Sequence, residues 1–357
     1  MLCWAILKRI KKSIRLLIYN TFQFYPKKIK FLSIILKQEI MKYFLSGGAG
    51  FIGSNLVHLL LKDLTNSITI YDNFITGKLW HLKNNLHNER LNIIKGDIRD
   101  IELLEKSIVD HDIVYHFAAN ADIASAVQDP SIDFVNGTLL TFNVLEAMRK
   151  ANIKRIFFTS GSGVYGEVPP EPVSELFEKM IPISTYGASK LSSESMISAY
   201  CFMFDFVGTV FRFANIVGPN QTHGVSHDFV KRLKINEKEL TIYGDGNQSK
   251  PYIHVNDVIK AFILLEKNQS AGYDVFNVGS EDFLTVNEIA DIVCEQCNLI
   301  DVKYLYTGGT RGWKGDVPVY RLNTAKIRSI GWNNSKNSKE AVVSSVKSML
   351  ENMKHYL

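Results

Sequence analysis

Four cysteines in 357 residues are too few and too scattered for a disulfide framework. They are Cys3, Cys201, Cys294 and Cys297, and the last two form a single C-x-x-C pair in a segment that reads as a helix, Val286 to Asn298. With no second pair and no accompanying histidine, the spacing argues against zinc, and a redox pair would need a thioredoxin-like context that is absent. Incidental thiols in a reducing compartment, the cytoplasm, is the reading that remains; no metal site is expected. No uninterrupted apolar run is long enough to span a membrane. Internal repeats, low-complexity tracts and flexible linkers are also missing. The body of the chain has no basic surplus. Of the net charge of +5, the first forty residues account for nine Lys or Arg against Glu39, which leaves −3 on the rest. Nucleic acid is therefore not an expected partner.

What is present is ordinary for a globular protein, with 46% hydrophobic and 22% charged residues, enough to bury a large core. Residues 1–40 mix Leu, Ile and Phe with Lys and Arg at helical spacing around Ile6 to Tyr19. Three readings stand: a basic amphipathic anchor on an anionic membrane surface, a targeting peptide without a clear small-residue cleavage site, or translated upstream sequence with Met41 as the start. The third is preferred, because Met41 sits one residue before the first strand. No firm membrane partner is expected, and on any reading these residues do no chemistry.

From Lys42 an apolar run passes into Gly47, Gly50, Phe51, Ile52 and Gly53, three glycines spaced G-x-x-G-x-x-G ahead of an amphipathic helix, Ser54 to Lys62. Glycine permits the tight turn and a close backbone approach to a pyrophosphate, and the helix N-terminus offers free N–H groups to the anion. A second apolar run, Ser67 to Tyr71, ends in Asp72, nineteen residues after Gly53. An acid there accepts hydrogen bonds from a ribose hydroxyl and repels a 2′-phosphate, which favours NAD over NADP.

Further buried strands are expected at Leu91–Ile94, Ile113–His116, Arg155–Thr159 and Val207–Phe213, with helices at Glu102–Val109, Leu139–Lys150 and Ser189–Phe202. This alternation implies a doubly wound, Rossmann-type parallel α/β sheet, with ligands beyond the strands' carboxyl ends. Gly47, Asp72, Asp97, Ala118, Ser160 and Asn215 all follow such ends. After Gly218 the pattern loosens, with helices near Val255–Lys267 and Lys339–Asn352. The expected division is residues 41–215 for the cofactor and residues 216–357, partly interleaved with them, for a smaller α/β substrate domain.

Tyr186-Gly187-Ala188-Ser189-Lys190 places a phenol and an ammonium four residues apart on one helix face. A nearby cation favours phenolate, so Tyr186 is expected to titrate lower than an ordinary tyrosine and to serve as base and acid. A hydroxyl-rich loop, Thr159 to Gly166, precedes the pair by about 25 residues.

The ordered set of the glycine loop, Tyr71-Asp72-Asn73, Gly96-Asp97-Ile98, His116-Phe117-Ala118-Ala119, Val164-Tyr165-Gly166, Tyr186/Lys190, Arg212 to Pro219, Tyr252-Ile253-His254-Val255 and Gly315-Asp316 resembles the extended short-chain dehydrogenases/reductases. Within them it is nearest the nucleotide-sugar epimerases of the UDP-glucose (UDP-galactose) 4-epimerase type. The resemblance spans Met41 to about Trp332. It implies that Asn73, Asp97 and Ile98 flank the cofactor, that Ala118 and Ala119 line its cleft, and that Asn215 and the loop Thr222-His223-Gly224-Val225 hold a diphosphate. Lys250, Tyr252, Arg311 and Asp316 would surround the nucleotide. It further implies 4-epimerisation of a UDP-hexose through a 4-keto intermediate with retained NAD, and a homodimer through the helices Leu139–Lys150 and Ser189–Phe202.

Three positions depart from that pattern. Gly161 stands at the usual catalytic Ser/Thr position, flanked by Ser160 and Ser162, either of which is a substitute. Phe134 replaces the usual Asn, with Asn136 nearby, and Trp313 replaces an Arg, leaving Arg311 as a stand-in. A 4,6-dehydratase or a uronate decarboxylase would need acids where Ser162 and Gly163 stand. The readings kept open are a UDP-N-acetylhexosamine or UDP-uronate 4-epimerase, a 4-ketosugar reductase, and a non-catalytic nucleotide-binding homologue.

Overall fold

The computed structural model describes residues 40–353, apart from residues 122 and 270. The basic segment around Ile6 to Tyr19, with the rest of residues 1–39, lies outside the described residues.

Seven parallel strands form the main sheet: β1 (Lys42–Ser46), β2 (Ser67–Asp72), β3 (Leu91–Lys95), β4 (Ile113–His116), β5 (Arg155–Gly161), β6 (Val207–Phe213) and a seventh, Tyr273–Val278. Their order across the sheet is seventh, β6, β5, β4, β1, β2, β3. The topological switch therefore falls beside β1, where its neighbours β2 and β4 leave in opposite directions. Side chains alternate between two cores, because successive residues of a strand point to opposite faces. Tyr43, Leu45, Ile68, Ile70 and Tyr115 face one core, with α1 (Phe51–Leu60) behind it. Phe44, Tyr71, Val114, Ile156 and Phe158 face the other, covered by α2 (Ile101–Ile108), α3 (Leu139–Lys150) and α4 (Thr185–Phe204).

The six expected strands and the helices between them stand within a few residues of their anticipated bounds. The seventh strand was not anticipated. Tyr273-Asp274-Val275-Phe276-Asn277-Val278 is short and carries two polar residues, and only its pairing along β6, from Tyr273–Gly208 to Val278–Phe213, makes it a strand. After α5 (Val225–Ile235), α6 (Val255–Asn268) also returns to the first core through Val258, Ile259, Phe262 and Leu265.

A third core lies apart from the sheet. It joins α5, α7 (Val286–Gln296) and the helix Ser338–Glu351 to the parallel pair Glu239–Ile242 and Lys303–Tyr306. Reciprocal side-chain caps, Thr285 with Glu288 and Asn337 with Glu340, start the last two helices. Cys294 and Cys297 pack here as free thiols, and burial pushes both pKa values up. No described helix is long and apolar enough to cross a membrane.

Candidate active site

In-register pairing of Ser46 with Tyr71 and with His116 brings Gly47, Asp72 and Phe117 out at one level, above the sheet. Gly47 has φ +74°, and a Cβ there would lie 2.7 Å from the Ala118 amide nitrogen; at Gly53 it would meet the Gly48 Cα at the same distance. The loop is thus pressed against the β4 exit, and only glycine fits at either point. Gly50 starts α1 without a side-chain cap, so the first-turn N–H groups face outward for an anion. These features fit a dinucleotide.

Asp72 is buried and accepts from the Ala49 and Phe74 amides at 2.9 and 2.8 Å. Burial raises its pKa, while those two N–H groups oppose the rise. Asn73 donates to Asp97 at 3.1 Å, and the Arg99 guanidinium holds the Asp97 carboxyl well below the usual carboxylate range.

A cleft of about 810 Å³ runs from this loop across the strand ends to the third core. Gly47, Gly50, Phe51, Ile52, Gly53, Asp72, Asn73, Asp97, Ile98, Ala118 and Ala119 line one end of the sequence-derived set. Ser160, Ser162, Tyr186 and Lys190 belong to its wall, as do Asn215, Thr222, His223, Gly224, Val225, Lys250, Tyr252 and Asp316. Arg311 is the exception. Its guanidinium pairs with Glu167 and donates to the Asp316 carbonyl at 2.6 Å, outside the lining, whereas the Trp313 side of the same loop faces in.

Helix α4 begins at Ser184, whose hydroxyl accepts from the Gly187 N–H at 3.1 Å, so Tyr186 and Lys190 occupy consecutive turns. The Lys190 Nζ donates to the Thr159 carbonyl at 2.7 Å and lies 5.7 Å from the Tyr186 ring centre. Burial lowers the Lys190 pKa to about 8, against the opposing charges of Glu194 and Asp133. Burial, then Asp133, pushes Tyr186 up to about 12. The sequence-based expectation of a depressed Tyr186 is corrected here: the ammonium is engaged by a carbonyl, and desolvation dominates.

The two serines part company. Ser160 is buried and donates to Glu194 Oε1 at 2.5 Å; Glu194 in turn forms a buried pair with Arg212 at 2.6 Å. Arg212 also donates to the Tyr165 hydroxyl at 3.0 Å. A Cβ at Gly161 would meet nothing within 4 Å.

The Phe134 departure has a structural answer. Residues 134–138 form a widened helical turn in which Asn136 leaves helical geometry (φ −101°, ψ 24°). Asn136 lines the cleft while Phe134 is 60% exposed. The turn is fastened to α4: Ser189 donates to the Asp133 carbonyl at 2.7 Å and Thr185 to its carboxylate at 2.7 Å. Arg232, Tyr243, Gln248 and Tyr320 also line the cleft, and sequence reasoning missed them. They stand outside any recognisable motif, and only tertiary packing turns them inward. Among the described residues no group of three or more His, Cys, Asp or Glu is placed to hold a metal.

The sequence profile described as the NAD dependent epimerase/dehydratase family matches residues 43–279. A putative UDP-glucose 4-epimerase of Methanocaldococcus jannaschii is 33% identical over 305 residues, covering 83% of this chain and 94% of that protein. Among solved structures, a UDP-N-acetylglucosamine 4-epimerase of Methanobrevibacter ruminantium in complex with UDP-N-acetylmuramic acid is 31% identical, with TM-score 0.79 over 88% of this chain and 100% of that one. The UDP-glucose 4-epimerase of Thermus thermophilus in complex with NAD is 28% identical, with TM-score 0.77 over 87% and 99%. With the dinucleotide cradle and the Tyr/Lys pair in one cleft, the chain belongs to the NAD dependent epimerase/dehydratase family and takes NAD as its cofactor.

Proposed function

We propose that this chain is a UDP-hexose 4-epimerase that interconverts UDP-glucose and UDP-galactose. The observation that carries the reading is a single cleft shared by the glycine cradle and the Asn215, Lys250 and Asp316 end, with Tyr186 and Lys190 in its wall. Gly47, Gly50, Gly53, Asp72 and Asn73 would hold the NAD. The chemistry that bound NAD supplies is acceptance of a hydride from C4 of the sugar and its return to the opposite face, with a positive charge that favours phenolate at Tyr186.

Tyr186 takes the proton of the 4-hydroxyl and later returns it; no net oxidation occurs, because the hydride goes back to the sugar as well. Lys190 supplies positive charge at the same helix face. Because Ser160 is engaged by Glu194, Ser162 is the hydroxyl assigned to the developing oxyanion. Asn215 and the Thr222–Val225 loop grip the diphosphate while the sugar stays loosely held, as rotation of the 4-keto sugar about its tether requires. Residues 41–215 serve the cofactor and residues 216–357 mainly the substrate. The same reading assigns a cytoplasmic homodimer joined through α3 and α4, whose Phe142 and Phe202 are 41% and 92% exposed; sedimentation velocity tests the dimer.

A second reading, UDP-N-acetylhexosamine 4-epimerisation, is favoured by the open space beside Gly161 and by the Methanobrevibacter relative. Purified protein, without added cofactor, is incubated with UDP-galactose and UDP-glucose formation followed by chromatography. Conversion that Tyr186→Phe abolishes supports the first reading. No conversion even with NAD, but turnover of the N-acetylated sugar, replaces it with the second.

A further inference from the structure

A nucleoside diphosphate brings about two negative charges into its site, and charge-assisted hydrogen bonds from arginine are the strong way to meet them. Most cations near this cleft are already engaged. Lys250 is paired with Asp316 and Arg311 with Glu167. Position 313, beside Arg311, carries an indole.

Arg232 differs. It sits on α5 with its side chain in the cleft lining, half-buried, and no carboxylate pairs with it among the described residues. Its guanidinium carbon lies 4.2 Å from the Tyr243 ring centre, and Nη1 donates to the Thr241 carbonyl at 2.5 Å. These contacts fix the plane of the group without neutralising it, leaving the Nε and Nη2 hydrogens for acceptors in the cleft.

We propose that Arg232 is a nucleotide-binding residue, donating from Nε and Nη2 to acceptor oxygens of the UDP moiety. The inference rests on the UDP-sugar reading above. Titration calorimetry of UDP and of uridine into the wild-type protein, Arg232→Leu and Arg232→Lys tests it, with bound NAD and the melting temperature as controls for folding. Arg232→Leu is expected to weaken UDP binding roughly 10- to 100-fold, the range of a charged hydrogen bond. The loss in turnover should fall on KM far more than on kcat, and Arg232→Lys should recover part of it. A loss for UDP alone places the contact on the diphosphate; an equal loss for uridine places it on the base. Unchanged UDP affinity in Arg232→Leu, with wild-type binding intact, overturns the proposal. Absence of UDP binding by the wild-type protein overturns the UDP-sugar reading itself.

Discussion

Lys190 is a buried ammonium whose nearest acceptor is one carbonyl. The charged and titratable groups around it are Tyr186 and Glu194 on its own helix, Asp133 from the widened turn and His116 from β4. Its folded pKa, about 8, lies below the unfolded value near 10.4, so the unfolded chain binds more protons between the two. Lys190 therefore opposes folding below pH 8, and that opposition is relieved as pH rises toward 10.4. Activity runs the other way: loss of the ammonium removes the positive charge beside Tyr186. The expected kcat/KM profile falls above about pH 8, and Lys190→Met, which has no such charge, should lose that limb along with most of its rate. At the serines, Ser162→Ala is expected to lower kcat on the order of 10²-fold, the effect of one oxyanion donor. Ser160→Ala should instead lower stability by about 1–3 kcal/mol, by removing a donor from a buried carboxylate, with a far smaller effect on kcat. The reverse pattern would return the role to Ser160.

At the scale of the element, α4 is a rod carrying Tyr186, Lys190 and Glu194 at four-residue intervals on one face. Its first two turns reach the cleft, and its third is bolted to β6 through Glu194 and Arg212. Glu194→Gln leaves the Arg212 guanidinium buried without its counter-charge. It is expected to cost about 3–5 kcal/mol in urea denaturation, the usual penalty for breaking a buried pair from one side. The double replacement Glu194→Gln with Arg212→Met should cost less than the two single changes together. The widened turn packed on α4 depends on Gly137, because a Cβ there would collide with Ser189 Oγ, which accepts from Thr138 and donates to the Asp133 carbonyl. A turn of this kind leaves a carbonyl without its helical partner, and Ser189 supplies one.

Across the described residues, burial lowers the pKa of three histidines, His111, His116 and His254. His116, bonded to Ser46 and Thr141, has its pKa lowered to about 3, and His254 to about 4. Both folded values lie below the unfolded one near 6.5, so on acidification the unfolded chain takes up protons first. The part of the stability that depends on these histidines is full above pH 6.5 and is lost as pH falls toward 4. The urea midpoint should drop steadily over that window, and His116→Asn should flatten the slope.

The glycine cradle, Asp72 and the Tyr186/Lys190 pair were legible in the chain before any fold was known, since each depends on backbone sterics and spacing over a few residues. The main sheet followed from the same local alternation, apart from Tyr273–Val278, which carries too little periodicity to read as a strand without β6 beside it. What spacing does not encode is the partner a side chain finds across the fold. Glu194 takes the Ser160 hydroxyl, Glu167 pairs with Arg311 outside the cleft lining, and the widened turn puts Asn136 rather than residue 134 in that lining. Arg232 and Tyr320 entered the cleft with no motif to announce them. Local geometry is written in neighbouring residues, whereas hydrogen bonds, ion pairs and desolvation at the site arise between residues tens of positions apart and exist only once the chain has folded.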